Sequence, residues 1–370
     1  MPLYLTEDQT MLRDTARAFM AAEGSIATQL RHWRDIGCKD GFGHALWKQF
    51  AELGFTGILI PEAQGGLGLG HVEAGIVLEE IGRNLTPSPF LVTAVAAVEA
   101  LKGTPHADRW YPGILAGETV AALAVDEAPK HRPERIAMTA ERAGNGFRLS
   151  GNKQFVVQGA SADVVVVAAR AEEGVTLFAV EKGAAGLDVE GVRLADGSIG
   201  ARMRFDGVVD ADAVIGEVGG GEAVLARVLG AGRAGAAAEL VGLGTQAMGM
   251  TVDYLKQRKQ FGRLIGEFQA LQHRAAHLYA ELEIARAATL KAQQLLDEAS
   301  PEAEAMVSVA KAKAGAASRL AVQEGVQMHG GIGMTDEYDI GLYMKRDRVL
   351  AELFGDGAYH ADKVARMRGY

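Results

Sequence analysis

Two short segments hold residue types able to bind an anion. Gln327-Met328-His329-Gly330-Gly331-Ile332-Gly333-Met334 carries three glycines within four residues, so its backbone can approach a ligand closely and offer amide hydrogens to negative charge. The same run also reads as an ordinary helix terminator. Arg258-Lys259-Gln260-Phe261-Gly262, with Gln269 downstream, places a guanidinium near a phenylalanine and a glycine; taken alone, Arg258 is a surface cation at a helix end. The four glycines of Gly65–Gly70 read as a tight structural loop, because no strand precedes them as a phosphate cradle would require. For proton transfer the C-terminal region offers Asp356, set between Gly355 and Gly357, with Glu352 before it and His360 after it. An aspartate flanked by glycines is commonly a turn residue.

The elements that must position these residues follow from periodicity. Leu12, Ala16, Phe19 and Met20 recur at helical spacing after a cap at Thr6, so the chain opens with a helix. Further helices are expected over 45–53, over 72–81 ending before Gly82, and over 91–101 ending before Gly103, where glycine stops the pattern. Residues 1–117 therefore form an N-terminal helical domain. From 118 to 222, short β-branched runs at Val156–Val157, Val164–Val167 and Val175–Val180 alternate with glycine turns, which predicts a compact antiparallel sheet, a sandwich or barrel, with a flexible exit at Gly219–Gly221. Residues 223–370 return to longer helices. Leu240, Leu243, Ala247, Met250 and Tyr254 form one apolar stripe, Leu271 to Leu296 another, and an Ala-rich helix is expected over 303–328, as in a four-helix bundle. The fold class is α+β.

Composition excludes several functions. A net charge of −9 across 370 residues argues against a broad nucleic-acid surface, which needs clustered Lys and Arg. The single cysteine, Cys38, excludes an internal disulfide and a Cys-based zinc site, and it suits a reducing cytoplasm. Residues 1–19 lack the apolar stretch and cleavage site of a secretory signal, and no run is long enough to span a bilayer.

Three segments, in order and spacing, resemble the acyl-CoA dehydrogenase family over nearly the whole chain. Phe50-Ala51-Glu52-Leu53-Gly54, Ile60-Pro61-Glu62, Gly65-Gly66-Leu67-Gly68 and Glu79-Glu80-Ile81-Gly82-Arg83 resemble its N-terminal signature. Arg258 to Gly262 with Gln269 resembles its Arg-x-x-Phe-Gly segment, and Gln327 to Gly333 its Gln-x-x-Gly-Gly-x-Gly loop. The resemblance implies FAD as cofactor. Arg258, Phe261, Gln269, Gln327, Gly330 and Gly331 would embrace its adenine and diphosphate, the arginine and phenylalanine from one subunit and the glutamine-glycine loop from its neighbour. An arginine fork suits a diphosphate because it offers paired donors and stays charged. A shared site implies an oligomer, commonly a tetramer. Electron-transferring flavoprotein is the implied electron acceptor.

The chain also departs from the family pattern. Where the family carries Thr-Glu-Pro against flavin and acyl chain, this sequence has Val125-Asp126-Glu127-Ala128-Pro129 and then Lys130-His131-Arg132. Where it offers a tryptophan and a threonine to the flavin ring, Phe155 and Val157 stand here; Phe155 keeps an aromatic face, and Val157 has no hydroxyl to give. The family removes the substrate's α-proton with a glutamate, which sits near the C-terminus in most members and beside a helix arginine in a minority. The matching positions here are Gly355 and Gly232, next to Arg233. A general base is worth about 10²- to 10⁴-fold in rate, so its loss matters. Asp356 would serve only if the loop shifted by one place. Arg233 inherits a substrate-site role by resemblance and reads equally as a helix-start cation by spacing.

Ala358-Tyr359-His360-Ala361, the His329 loop and Glu337-Tyr338-Asp339 resemble the branch that works on steroid side-chain CoA thioesters. Several of its members assemble as heterotetramers in which one of two paralogous subunits lacks the glutamate. The expectation is an FAD-dependent protein that desaturates an acyl-CoA thioester between its α and β carbons, with the base supplied by a partner. The alternatives are a flavin-dependent monooxygenase on the same fold and a non-catalytic structural subunit.

Overall fold

The computed structural model describes residues 3–370. Helices come first: α1 (Glu7–Ala22), α2 (His32–Asp35), α3 (His44–Glu52), α4 (His71–Asn84), α5 (Val98–Leu101) and α6 (Pro105–Leu115). Strands follow: β1 (Ala121–Ala124), β2 (Thr139–Ala143), β3 (Gly146–Val157), β4 (Val164–Ala171), β5 (Gly174–Glu181), β6 (Leu187–Arg193), β7 (Ile199–Asp210) and β8 (Val214–Ile215). The chain then returns to helix in α7 (Gly221–Gln257), passes a small hairpin of β9 (Lys259–Gln260) and β10 (Arg263–Leu264), and ends in α8 (Gln269–Asp297), α9 (Ala303–His329), α10 (Ile340–Glu352) and α11 (Gly357–Met367). The architecture is the expected α+β order of helices, sheet and helices.

Thr6 caps α1 as its sequence position predicted. Its hydroxyl accepts the Gln9 amide at 3.2 Å and the Gln9 side chain accepts the Thr6 amide at 3.0 Å, so two otherwise orphaned donors are satisfied. Of the exit expected at Gly219–Gly221, Gly219 and Gly220 precede α7 and Gly221 already opens it. The helix expected over 91–101 is present, but Leu91–Ala97 is wound as π-helix before α5.

Contacts divide the chain into two units. One comprises residues 31–74 and 87–232, the other residues 1–30, 75–86 and 233–370. In the first, the sheet runs β6-β7-β3-β2-β4-β5-β8, with β1 alongside β4. Most pairs are antiparallel, as the short runs and glycine turns implied. The β1–β4 pair is parallel, from Ala121 against Val164 to Ala124 against Val167. Nothing local encodes that pairing, because the two strands are joined by a long crossover. The valines of β4 are buried on both faces, which explains a continuous apolar run where a half-exposed strand would alternate. The sheet core gathers Phe147, Leu149, Val156, Val167, Phe178, Met203 and Phe205.

In the second unit, α9 packs against α8, α10 and α11. Helix α4 crosses α7 at backbone contact: a Cβ on Gly82 would lie 2.1 Å from the Glu239 carbonyl oxygen, and one on Gly242 would lie 1.9 Å from that of Glu79. Gly82 is therefore a crossing point inside α4 and not the stop signal its composition suggested. Acids beside this crossing are held by arginines. Arg17 meets Glu80 at 2.7 Å, Arg346 meets Glu239 at 2.6 Å, and Arg286 bonds Glu79 as well as the Thr245 hydroxyl. Buried carboxylates of this kind persist only when paired. The crossing fixes α7 along the stretch that begins at Arg233.

Among the described residues no helix is long and apolar enough to cross a membrane, and no His, Cys, Asp or Glu group could hold a metal ion.

Candidate active site

The connection between α10 and α11 carries the candidate base positions. Phe354 and Gly355 both take positive φ, 60° and 110°, a region that disfavours residues with a Cβ. The Arg233 guanidinium, buried on α7, donates through Nε to the Phe354 carbonyl at 3.0 Å and through a terminal nitrogen to the Tyr359 hydroxyl at 3.2 Å. It also lies 5.4 Å from the centre of the Tyr359 ring. A Cβ at position 355 would fall 2.5 Å from the Tyr359 ring and 3.0 Å from His360 Nε2. Gly232, the other candidate base position, precedes Arg233 on α7. Asp356 caps α11, its carboxylate accepting the Tyr359 amide at 2.8 Å, which is the turn role its glycine neighbours indicated.

Sequence reasoning missed Lys311, which looked like one more residue of an Ala-rich helix. It is fully buried on α9, and its ammonium donates to the carbonyls of Leu350, Ala351 and Gly355 at 3.0, 3.1 and 3.1 Å. Loss of hydration, and then the nearby Arg233 charge, push its pKa down to about 7, against the pull of Asp347, Glu352 and Asp356. Burial likewise raises the Asp347 carboxyl above its ordinary value. A lone lysine in an apolar helix face was the only signal available.

The segments expected to bind the cofactor's adenine end lie in the same unit. Phe261 and Gly262 form the two-residue turn of the β9–β10 hairpin, with φ of 53° and 81°, the pair of positive angles a tight hairpin turn requires. Phe261 is 91% exposed and its nearest aromatic neighbour is Phe268 at 6.2 Å, edge-on. Arg258, Gln269 and Gln327 are exposed. At Gly330 and Gly331 an added Cβ would meet nothing within 4 Å, so the loop backbone is open. The two segments are tied by a ring stack absent from the sequence reading: His329 lies 4.5 Å from Tyr254, one turn before Arg258, and 4.6 Å from Tyr338. Its Nδ1 donates to the Gly325 carbonyl at 2.7 Å, and burial lowers its pKa.

Phe155 and Val157 belong to the other unit. Strand β3 is bulged between Lys153 and Val156, and Phe155 there takes φ of 55°, an unusual cost for an aromatic residue. The bulge is anchored from Lys153, whose buried ammonium meets Glu127 at 2.6 Å and the Val125 carbonyl at 3.1 Å. Glu127 also accepts the amides of Ala137 and Met138 at 2.7 and 3.1 Å, and the Asp126 carbonyl accepts the Gln154 amide at 2.8 Å. His131 closes the segment by bonding Asp126 at 2.7 Å. The stretch 125–131, where the sequence leaves its usual pattern, is therefore the support of the Phe155 bulge.

Models of the acyl-CoA dehydrogenase N-terminal, middle and C-terminal domains match residues 6–118, 130–208 and 219–368. FadE12, an acyl-CoA dehydrogenase of Mycobacterium tuberculosis, is 32% identical over 93% of this chain and 91% of its own. The chain belongs to the acyl-CoA dehydrogenase family. Cyclohex-1-ene-1-carbonyl-CoA dehydrogenase of Geobacter metallireducens is 31% identical, covering 95% of each chain. Among solved structures, a variant of the Tcur3481-Tcur3483 steroid ACAD is 28% identical with a TM-score of 0.90 over 98% of both chains. Acyl-CoA dehydrogenase family members are FAD-dependent flavoproteins, oxidoreductases acting on acyl-CoA. The residues here suit that cofactor: an exposed guanidinium, an unobstructed double-glycine backbone and an exposed aromatic turn match a diphosphate and a flat ring in donor chemistry.

Proposed function

We propose that this protein is the base-lacking subunit of a heterotetrameric acyl-CoA dehydrogenase that introduces an α,β double bond into a bulky acyl-CoA thioester, such as one with a steroid side chain. The observation that carries this reading is glycine at both base positions, with the space beside Gly355 already taken by Tyr359 and His360. Support for the substrate class comes from the likeness to a solved steroid ACAD named for two proteins, Tcur3481 and Tcur3483. FAD, which Arg258, Gly330 and Gly331 would hold, would supply the hydride acceptor for the β-hydrogen.

The roles of this chain's residues follow from their placement. Arg258 neutralises the cofactor diphosphate, Gly330 and Gly331 offer backbone amides to it, and Gln269 and Gln327 hydrogen-bond its adenine end. Phe261 covers a flat ring. Phe155, turned by the β3 bulge, presents an aromatic face to the flavin, and Val157 beside it contributes packing only. Arg233 stands at the substrate site with its charge directed to the Phe354 carbonyl and the Tyr359 hydroxyl. The carboxylate that takes the α-proton comes from a paralogous subunit, and electrons pass on to an electron-transferring flavoprotein. The chain is divided at about residues 117 and 222 and works in the cytoplasm.

Desaturation of a steroid side-chain CoA thioester, followed with the purified FAD-loaded chain alone and then mixed with its paralogous subunit, tests the proposal. Turnover is expected only from the mixture. Full turnover by the chain alone would return the base to Asp356 or another internal group.

A further inference from the structure

If position 355 had merely lost a carboxylate, the space beside it should stand open. Instead, a Cβ there would lie 2.5 Å from the Tyr359 ring and 3.0 Å from His360 Nε2, so a side chain at 355 would have to displace them. The carbonyls of Leu350, Ala351, Phe354 and Gly355 all turn to two buried cations, three to Lys311 and one to Arg233. Both Phe354 and Gly355 take positive φ to allow this.

We propose that Lys311 and Arg233 are positioning residues which hold the α10–α11 loop by its carbonyls and so keep the Tyr359 ring over position 355, sealing the space a base there would need. This rests on the reading that the chain lacks its base, and it adds that the lack is built into the loop rather than into one side chain. The geometry has three independent parts. Leu350 and Ala351 are among the last carbonyls of α10, at the negative end of its dipole, and a buried ammonium is the natural partner for them. Arg233 bonds the Phe354 carbonyl and the Tyr359 hydroxyl at once, which couples the loop to the first turn of α11. Asp356, accepting the Tyr359 amide, fixes the same turn from the other side. The charged groups facing Lys311 are Arg233 from α7, Asp347 and Glu352 from α10, and Asp356 from the start of α11. An ammonium in that company contributes attraction to the loop carbonyls without a dedicated carboxylate partner in hydrogen-bond contact.

A double-mutant cycle on the full FAD-loaded chain tests the sealed space. Gly355→Ala is expected to lower the melting temperature by about 5 °C, from strain at positive φ plus the clash with Tyr359. In a Tyr359→Ala background that loss should shrink by at least half, whereas Tyr359→Phe, which keeps the clashing ring atoms and the Arg233 contact with the ring face but loses the hydroxyl bond, should leave more of it in place than Tyr359→Ala does. Equal losses in all three backgrounds would overturn the proposal. Because Tyr359→Ala also weakens the Arg233 contact, amide hydrogen exchange in Lys311→Met gives a second measurement. Exchange at Gly355, Tyr359 and His360 should quicken about tenfold or more, with β4 amides unchanged. No local change, or the same acceleration in β4, overturns it. Neither measurement uses an acyl-CoA, so its outcome is separate from that of the desaturation assay.

Discussion

A single side chain separates the two accounts of proton removal. Asp356 caps α11, and asparagine caps a helix nearly as well as aspartate. Asp356→Asn should therefore keep stability within a few tenths of a kcal/mol and leave turnover of the assembled enzyme unchanged, whereas Asp356→Ala should cost about 1 kcal/mol in urea denaturation. Loss of turnover in a stable Asp356→Asn enzyme would make Asp356 the base. Lys311 makes a different prediction, one about pH. Its folded pKa of about 7 lies below the ordinary 10.5, so between those values the unfolded chain binds more protons. Stability should rise as pH climbs through that window, by up to about 1.4 kcal/mol per pH unit, and be lowest below it. Urea midpoints measured from pH 6 to 9 should show this slope in the wild type, and Lys311→Met should flatten it. The turn role of Asp356 was visible in its glycine neighbours, but that of Lys311 was not, because a buried lysine in an alanine-rich helix and an exposed one have the same letters around them.

At the scale of elements, the hairpin and the helix crossing respond to mutation in opposite ways. Phe261 contributes little to the fold, being 91% exposed, so Phe261→Ala should change stability by less than about 0.5 kcal/mol. Its loss should show in cofactor retention, with the FAD dissociation constant rising roughly tenfold, and Arg258→Ala should do the same through the diphosphate. Fluorescence titration of the apoprotein with FAD measures both. Gly82→Ala should act only on the fold, costing about 2–3 kcal/mol, since its Cβ would lie 2.1 Å from the Glu239 carbonyl oxygen. The hairpin turn was not read from the sequence, where Phe261 and Gly262 stood only as part of a family-like segment. Nor was the crossing, because a glycine that ends a helix and one that admits another backbone leave the same mark in a sequence. The support of the Phe155 bulge by Lys153 and Glu127 was hidden for a related reason: the two residues are 26 positions apart, and only the tertiary fold brings them together.

For the whole molecule, the proposal makes assembly part of the chemistry. Native mass spectrometry should find four subunits when this chain is mixed with its paralogue, with turnover appearing in the same sample. An active assembly of this chain alone would contradict the shared-base account. What the amino-acid order determined by itself is local or chemical. Helical and strand periodicity set the succession of helices, sheet and helices, since burial of one face repeats every 3.6 or two residues. The motifs around Gly65, Arg258 and Gln327 marked the family, and glycine stands at positions 232 and 355, where the resemblance expects a glutamate. Only the tertiary structure shows what surrounds Gly355. It brought Lys311, Arg233, Phe354 and Tyr359, spread over more than a hundred positions of α7, α9 and the chain's end, to one loop. The reason is physical: backbone carbonyls and buried cations bond by distance and direction in space, which residue spacing along the chain does not encode.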